Sequence, residues 1–413
     1  MDWSDNEEQA DFREKVRSLI AERLPARYRP GGVNAHRLER TWEFDRKSED
    51  PDRREAAVAW SDALAEHRWV APHWPEEYGG GGLSSMEQFI LKQELAISGA
   101  PAVGGSGTNM LGPTLILNGT EEQRREHLPR ILSGEVTWAQ GFSEPGAGSD
   151  LASLTTSARR DGDDYVINGQ KIWTSAAHTA DWFFLLTRTD PTAPKHRGIS
   201  FLLVDGRTPG IGVQPLVDMS DVHYFNETFY EEVRTPVSNL VGEENRGWYV
   251  AMNLLDFERS NIEGAVSMQR GIEKLLSYCA SAEGAAKSLL GRGGTLRTEV
   301  ADRYVETEVM FQFSARVISI QAAGMVPNYE ASTSKLFNSE LLQRLSATSI
   351  KTFGLYGQLW GQGTEDGPES PYAAQGGAPP YNYLRAVPAT IRGGTSEVQR
   401  NIIATRGLGL PRG

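Results

Sequence analysis

Cysteine is almost absent from this 413-residue chain, which carries only Cys279. A single cysteine cannot form an internal disulfide bond, so a disulfide-stabilised secreted fold is excluded and a reducing compartment is favoured. Cys279 has no histidine near it in sequence, which argues against thiol catalysis. Long apolar runs are also missing, since 182–186 and 199–204 are far shorter than the roughly 20 residues of a membrane span. We therefore expect a globular protein without membrane insertion.

The chain also lacks a basic excess and clustered histidines. Its net charge is −12, and no stripe of Lys and Arg is visible, which argues against a nucleic-acid partner. The seven histidines are scattered without the spacing of metal ligands, so no metal site is predicted. The first residues, MDWSDNEEQADFREKV, are acidic and amphipathic, unlike a basic and then apolar secretory signal. These absences predict a cytoplasmic protein.

What is present is enough apolar sequence, 39% of the residues, for two or three domains. Residues 1–133 have helical periodicity, as in Phe12, Val16, Leu19 and Ile20. Thr120 and Gln123 have the spacing of a capping box that opens one of these helices. The first part of the chain is therefore predicted to be helical.

Residues 134–240 change to short β-type runs. The predicted strands are 164–167, 182–187, 199–204 and 226–233. Asp161-Gly162 and Asn168-Gly169 are pairs typical of hairpin turns. From residue 241 onward long helical patterns return, at 249–279, 297–324 and 332–353, and the Gly- and Pro-rich stretch 361–381 is predicted to be an extended loop. The order is helical, β, helical.

One loop carries the strongest functional signal. The segment WAQGFSEPGAGSDLASL at 138–154 places a hydroxyl on Ser143, a rigid Pro145 and two glycines, Gly146 and Gly148, directly after an apolar run. Such a loop can hold a ring or a phosphate, although by composition alone it could be an ordinary surface turn. It is not a Rossmann fingerprint, because the third glycine and the surrounding strand-helix-strand unit are missing. A nicotinamide cofactor is therefore disfavoured.

Further segments follow this loop in a specific order. They are INGQKIWTS at 167–175 and IRGGTSEVQRNIIATRGLGLP at 391–411, with supporting stretches at 74–80, 119–135 and 241–248. Together they resemble the acyl-CoA dehydrogenase family over nearly the whole chain. The resemblance implies an α+β multidomain fold with an N-terminal helical domain at 1–133, a middle β-barrel-like domain at 134–240 and a C-terminal four-helix bundle at 241–413.

The resemblance also implies FAD as cofactor and an acyl-CoA thioester as substrate. Ser143 would bond the flavin edge, Trp173 would pack on the ring, and Thr174 and Ser175 would donate near N5 and O4. The remaining cofactor contacts implied are Gln140, Gly141, Phe142, Gly148, Thr395, Ser396 and Glu397. Ser149 would face the acyl-CoA. Taken without the resemblance, Trp173 is better interpreted as a buried core aromatic, and the alternative for Thr395 is an N-cap.

The general base is where the sequence departs from the commonest family pattern. Most members carry an acid before the final helix, in a stretch such as YEGTSE, but Gly393 occupies that place here. A smaller set of relatives places the base on an earlier helix, in a motif that LDFER at 255–259 resembles. Glu258 is therefore the predicted base, with Asp256 and Arg259 as substrate contacts. The alternative is that Glu258 is a solvated helix carboxylate.

The glycine has a consequence for the substrate. The main-chain N–H remains at Gly393 and Gly394, so a donor to the thioester carbonyl survives while a side chain is lost. A pocket relieved of that side chain admits a wider acyl group. Relatives with this combination often act on branched or steroid side-chain thioesters, so lipid metabolism, β-oxidation and steroid catabolism are implied.

Assembly is the second point of departure. Homotetrameric members usually carry an RxxFG stretch that reaches a neighbour's FAD, and 278–298 has none, so Arg292 and Arg297 are only candidate substitutes. The motif near the adenine is also altered, around 351–357. A homotetramer or a heterotetramer therefore remains open. Electron-transfer flavoprotein is the expected acceptor, and the alternatives are a flavin oxidase or monooxygenase, or a non-catalytic partner subunit.

Overall fold

Residues 5–29, 41–256, 262–360 and 370–411 are described by the structure, a computed structural model. The chain forms an N-terminal helical part, a middle β-sheet and a C-terminal helical part, which confirms the predicted fold class. No helix in these ranges combines the length and apolar character needed to cross a membrane.

Six α-helices form the N-terminal part, as far as residues 5–29 and 41–133 describe it. They are α1 (Glu7–Arg23), α2 (Thr41–Arg46), α3 (Pro51–Ala65), α4 (Ser85–Ser98), α5 (Gly112–Asn118) and α6 (Glu121–Leu132). The predicted apolar face of α1 is confirmed, because Val16 and Leu19 are buried and Phe12 packs against the same core. The capping box is confirmed too, since the Thr120 hydroxyl accepts from the Gln123 N–H at 3.2 Å and the Gln123 side chain accepts from the Thr120 N–H.

The middle part is a single sheet of eight strands. They are β1 (Trp138–Gly141), β2 (Ser157–Asp161), β3 (Asp164–Lys171), β4 (Trp182–Arg188), β5 (Ile199–Asp205), β6 (Ile211–Val217), β7 (His223–Pro236) and β8 (Leu240–Val241). The order is β6-β7-β3-β2-β4-β5-β8, and β1 pairs in parallel with β4. All four predicted strand runs lie within these strands.

The two predicted hairpins had different outcomes. Asp161-Gly162 does turn the chain between β2 and β3, with Gly162 at φ +67°. The prediction for Asn168-Gly169 is wrong, because both residues lie inside β3, where the pairing with β7 shifts register between Ile167 and Gly169. A Cβ on Gly169 would lie 2.6 Å from the Thr156 hydroxyl, so this glycine permits close approach inside a bulged strand.

The C-terminal part is again helical. Its helices are α7 (Gly247–Asp256), α8 (Ile262–Ala280), α9 (Ala282–Lys287), α10 (Gly294–Ala322), α11 (Tyr329–Phe353), α12 (Ala378–Ala386) and α13 (Ser396–Ile402). The predictions at 297–324 and 332–353 correspond to α10 and α11. The predicted loop 361–381 is wrong at its end, because α12 begins at Ala378 with prolines in its first turn, where no intrahelical N–H is needed.

One core joins the three parts and positions the site. It combines Leu128 and Ile131 of α6 with Trp138 of β1, Phe184 of β4 and Val250 of α7. Polar contacts also connect the sheet to both helical parts. The Gln123 side chain of α6 donates to the Ser238 and Leu240 carbonyls, and Arg385 of α12 pairs with Asp218 of the β6–β7 loop at 2.6 Å. The sheet is thus fixed between the two helical parts.

Candidate functional site

The loop that follows β1 is anchored by its main chain. Gly141 ends β1 opposite Leu185 of β4, and a Cβ there would lie 2.3 Å from that leucine, so only glycine fits. The Phe142 ring is buried and packs edge-on against Phe184 and Phe201. The side chain of Phe142 therefore belongs to the core. Gln140 and Ser143 are half-buried at the rim.

The segment after β3 lies directly beside this loop. The Ile172 N–H donates to the Ser143 carbonyl at 2.9 Å, which sets Ser143 next to Trp173. Trp173 has a left-handed φ of +61° and an indole that is 56% exposed, packed edge-on against Phe225. A strained tryptophan with most of its ring in solvent is not a core aromatic. The structure thus brings the two strongest sequence motifs into one surface.

Thr174 and Ser175 continue this surface in different ways. Thr174 is fully buried, its main chain pairs with Asn226 of β7, and its hydroxyl has no hydrogen-bond partner among the described residues. Ser175 is half-buried. An unpartnered buried hydroxyl is uncommon and fits a site that receives a polar group from elsewhere.

A buried ion pair holds the two segments together. Lys171, with no exposed surface, donates to the Glu144 carboxylate at 2.8 Å and to the Phe142 carbonyl at 3.1 Å. Glu144 also accepts from the N–H groups of Thr155 and Thr156 at 2.7 and 2.8 Å. One carboxylate therefore fixes both ends of the loop 144–156, and one ammonium ties it to β3.

The charges of this pair follow from their surroundings. Burial would raise the pKa of Glu144, but the Lys171 ammonium and the donors on the loop hold that pKa at about 2. Burial lowers the pKa of Lys171 to about 8, against the opposing effect of Glu144. Pairing prevails at Glu144 because it accepts several additional hydrogen bonds, and burial prevails at Lys171 because it is wholly enclosed. Both groups are ionised at neutral pH.

The glycine-rich half of the loop is open. Gly146, Gly148 and Ser149 are exposed, and a Cβ at either glycine would meet nothing within 4 Å. Beside them Lys195 bonds Asp150 at 2.8 Å on the surface. Space for a large ligand therefore exists on this side.

The C-terminal motif forms a second loop. Gly393 and Gly394 both have left-handed φ, +64° and +89°, and a Cβ on Gly393 would meet nothing within 4 Å. The Lys335 ammonium on α11 donates to the Gly394 carbonyl at 2.6 Å and to the Ala389 carbonyl at 3.3 Å. Burial and the nearby Arg392 lower the pKa of Lys335. This lysine fixes the main chain of the loop.

Thr395 closes the loop as the N-cap of α13, where its hydroxyl accepts from the Val398 N–H at 3.2 Å. Ser396 is buried with its hydroxyl unpartnered among the described residues, and Glu397 is exposed. Hydrogen bonds from its own N–H and from Thr395 lower the pKa of Glu397. Within the described ranges no hydrogen bond or ion pair joins 393–395 directly to Ser143 or Trp173.

The predicted base falls outside the described residues, as does Arg259. Asp256 is the last residue of α7, and α8 begins at Ile262. Of the candidate replacements for the missing arginine motif, Arg292 is exposed and Arg297 donates to the Leu290 carbonyl at 2.7 Å. No group of three or more metal-ligating side chains converges in the part of the chain that the structure describes.

Four residues of this site were missed from the sequence: Glu144, Lys171, Asn226 and Lys335. The first two carried a detectable signal, since each is a charge inside a motif whose neighbours are apolar or small. No local pattern marked Asn226 or Lys335, because their partners lie 52 and 59 residues away.

Models of three family domains match the chain. Acyl-CoA dehydrogenase, N-terminal domain, matches residues 6–135, the middle domain matches 139–229, and the C-terminal domain matches 245–408. The acyl-CoA dehydrogenase IpdE1 of Mycobacterium tuberculosis is 36% identical over 357 residues, which cover 86% of this chain and 88% of that protein.

Solved structures are similar over the full length. The steroid ACAD Tcur3481-Tcur3483 is 34% identical with a TM-score of 0.83, and the match covers 100% of both chains. The ChsE4-ChsE5 complex from Mycobacterium tuberculosis is 35% identical with a TM-score of 0.78, again over 100% of both chains.

Proposed function

The chain belongs to the acyl-CoA dehydrogenase family, and we propose that it removes the α- and β-hydrogens of a CoA thioester whose acyl group is bulky, branched or steroid-type. The single observation that carries the proposal is the meeting of Ser143 with the exposed, strained Trp173 on one surface, held from behind by the Glu144–Lys171 pair. An aromatic face beside a hydroxyl and free main-chain groups suits a flat, polar-edged ring.

Members of this family are FAD flavoproteins, and the residues present fit that cofactor. Trp173 would cover one ring face, and Ser143 and Ser175 would reach the polar edge. The unpartnered hydroxyls of Thr174 and Ser396 are further groups that a bound cofactor can satisfy. The N-terminus of α13 offers N–H groups and the positive end of its dipole. When bound, FAD accepts the β-hydrogen as a hydride.

Glu258 is the proposed base that takes the α-proton. Support comes from elimination: Gly393 has no side chain at the usual position, and the LDFER motif supplies the alternative. Asp256 and Arg259 would contact the substrate. The N–H groups of Gly393 and Gly394 would donate to the thioester carbonyl, where negative charge develops as the α-proton leaves. In the wild-type chain, proton removal and carbonyl polarisation thus fall to different elements.

The loop at 393–395 also supports the proposed width of the acyl group. Among the described residues no atom lies within 4 Å of a Cβ placed on Gly393, and the similar structure Tcur3481-Tcur3483 is named a steroid ACAD. Ser149 on the open glycine-rich loop would face the CoA part. A CoA thioester substrate and a lone, half-buried Cys279 both suit a cytoplasmic enzyme, with electron-transfer flavoprotein as the acceptor.

Assembly with further subunits is part of the proposal. The most exposed apolar side chains lie in the C-terminal part, with Leu355, Val326 and Leu408 at 79%, 75% and 70% exposure. Apolar groups so exposed favour burial against another chain. Two similar structures are named as pairs of components. A tetramer of identical chains, or one shared with a different subunit, is therefore expected.

The test is to purify the full chain, alone and with its partner subunit if one is required, and record its visible spectrum with a steroid-type or branched acyl-CoA. We expect flavin absorption that bleaches on substrate addition. Glu258→Gln should keep the flavin and lower the bleaching rate by about 10²–10⁴-fold, the usual contribution of a general base. Glu263→Gln, on the exposed side of α8, is the matched control and should bleach normally.

Four results would contradict parts of the proposal. If only straight short acyl-CoAs were oxidised, the proposal of a bulky, branched or steroid-type substrate would be wrong. Rapid reoxidation of the reduced protein by air would favour a flavin oxidase. Normal bleaching in Glu258→Gln would exclude that base, and a chain that never acquires FAD would be a non-catalytic partner subunit.

A further inference from the structure

Residues 172–176 continue the pairing of β3 with β7 in an unusual conformation. The N–H groups of Thr174 and Asn226 each donate to the other residue's carbonyl at 3.0 Å, and the Ala176 N–H donates to the Tyr224 carbonyl at 2.8 Å. Trp173 and Ala176 both have left-handed φ, +61° and +55°. Two such residues within one short segment persist only where the surroundings hold them.

The side chain of Asn226 supplies such a hold. It has no exposed surface, and its amide Nδ2 donates to the Thr174 carbonyl at 3.0 Å, so that this carbonyl accepts from both the main chain and the side chain of Asn226. His178 Nδ1 lies 3.2 Å from Nδ2 and 3.3 Å from Oδ1, and Oδ1 also lies 2.8 Å from His223 Nε2. The carboxamide therefore has a partner for each of its hydrogens and for its oxygen.

The two imidazoles orient this carboxamide. Their rings stack with centroids 4.0 Å apart, and His178 stacks in turn on Phe44 of α2 at 5.6 Å. Burial, and after it the charge of His223, lower the pKa of His178. Because the Thr174 carbonyl can only accept, the amide nitrogen Nδ2 must face it, and Oδ1 faces His223 Nε2.

Packing alone does not fix this cluster. A cavity of about 320 Å³ borders both imidazoles and Asn226. Side chains next to an open space depend on their hydrogen bonds for a defined position. The orientation of the Asn226 carboxamide is thus set by polar contacts, and it acts on the main chain that carries Trp173 and Ser175.

We propose that Asn226 is a positioning residue, whose carboxamide holds the main chain of 173–175 so that the Trp173 ring and the Ser175 hydroxyl are presented to the flavin. This role rests on the proposed function. Asn226 itself contacts neither flavin nor substrate, and it acts through the Thr174 carbonyl.

The experiment compares Asn226→Ala with Asn168→Ala. Asn168 also ties β3 to β7 through its carboxamide, which donates to the Glu232 carboxylate at 2.7 Å and accepts from the Glu232 N–H at 2.9 Å, but it lies in the middle of β3, outside 172–176. Amide hydrogen exchange of 172–176 is measured in the full chain without flavin. The visible spectrum and reduction potential are measured in the flavin-loaded protein.

In Asn226→Ala we expect exchange at 172–176 to become about tenfold faster, as loss of a hydrogen bond at a buried carbonyl implies. The flavin spectrum and potential should shift with it. Asn168→Ala should leave the exchange at 172–176, the flavin spectrum and the reduction potential unchanged. Asn226→Asp keeps the side-chain volume and the acceptor for His223 but cannot donate to Thr174, so it should reproduce the effect of Asn226→Ala.

Each of the other possible outcomes contradicts a specific part of the proposal. If the wild type binds flavin and both Asn226 variants keep its flavin spectrum, its reduction potential and its amide exchange, the role of Asn226 is refuted, and the proposed function is not. A wild type that takes up no FAD, alone or with a partner subunit, would refute the proposed function and the positioning role with it. Global unfolding of both variants would make Asn226 a structural residue and overturn the proposal as well.

Discussion

Around residues 142–175 the chain is held by buried polar groups, whereas around residues 393–395 it is held by one half-buried lysine, the Gln399 side chain and a helix cap. In the first region the enclosed Glu144–Lys171 pair fixes the main chain. The Glu144 carboxylate accepts four hydrogen bonds, one of them from Lys171. In the second, Lys335 bonds two carbonyls and open space lies in front of Gly393. The first region is fixed by contacts within the protein, whereas the second has open space in front of it that the proposed acyl group would use.

Removal of the cation from the first region should have the largest effect on stability. Lys171→Met leaves the Glu144 carboxylate buried without its cation, which costs about 3–5 kcal/mol of unfolding free energy. The double variant Glu144→Gln with Lys171→Met should lose much less, because no charge remains buried. Urea unfolding of the flavin-free chain measures both. Arg207→Met removes an exposed ion pair in the same sheet and should leave stability unchanged, and equal losses in all three variants would contradict the buried pair.

Low pH should lower the stability of the region around residues 142–175. Glu144 has a folded-state pKa of about 2 against an ordinary value of 4.5, so its stabilisation is complete above pH 4.5 and is lost as the pH falls from 4.5 towards 2. The full difference corresponds to about 3 kcal/mol. Urea unfolding at pH 6 and pH 3 should show a smaller acid loss in Glu144→Gln than in wild type. Equal losses would mean that other carboxyl groups carry the acid dependence.

The second region should respond more weakly to loss of its cation. Lys335→Met removes the donors to the Gly394 and Ala389 carbonyls, which should cost about 2 kcal/mol. Turnover should fall while the flavin spectrum stays normal, because the Ser143 and Trp173 surface is not touched. Arg23→Met removes only an exposed pair with Glu66 in the N-terminal part and serves as control. A changed flavin spectrum in Lys335→Met alone would show that the two regions are not independent.

These differences explain what the sequence could predict. Signals that act within a few residues were readable, such as the Thr120–Gln123 capping box, the four strand runs and the Asp161-Gly162 turn. Asn168-Gly169 misled because the same dipeptide that makes a turn also permits a bulge, and only the neighbouring Thr156 decides between them.

Long-range placement was beyond the sequence. Phe142 lies in a ligand motif, yet its ring joins the core because β1 pairs with β4 and turns it towards Phe184 and Phe201. Glu144 and Lys171 are 27 residues apart and meet only when the loop folds back on β3. The motifs therefore located the candidate site, and the sheet decided which side chains face it.

The smallest expected change tests the open side of the comparison. Gly393→Ala meets no atom within 4 Å but places a side chain at φ +64°, so it should cost only about 1 kcal/mol of unfolding free energy. Gly291→Ala is the matched control, since that glycine is equally open without a left-handed φ. Because the added methyl narrows the space in front of the loop, kcat/KM should fall for the widest acyl groups and stay level for straight short ones. An equal loss for all acyl groups would instead assign Gly393 to the backbone geometry of the loop, and the width of the pocket would then have to be set by another element.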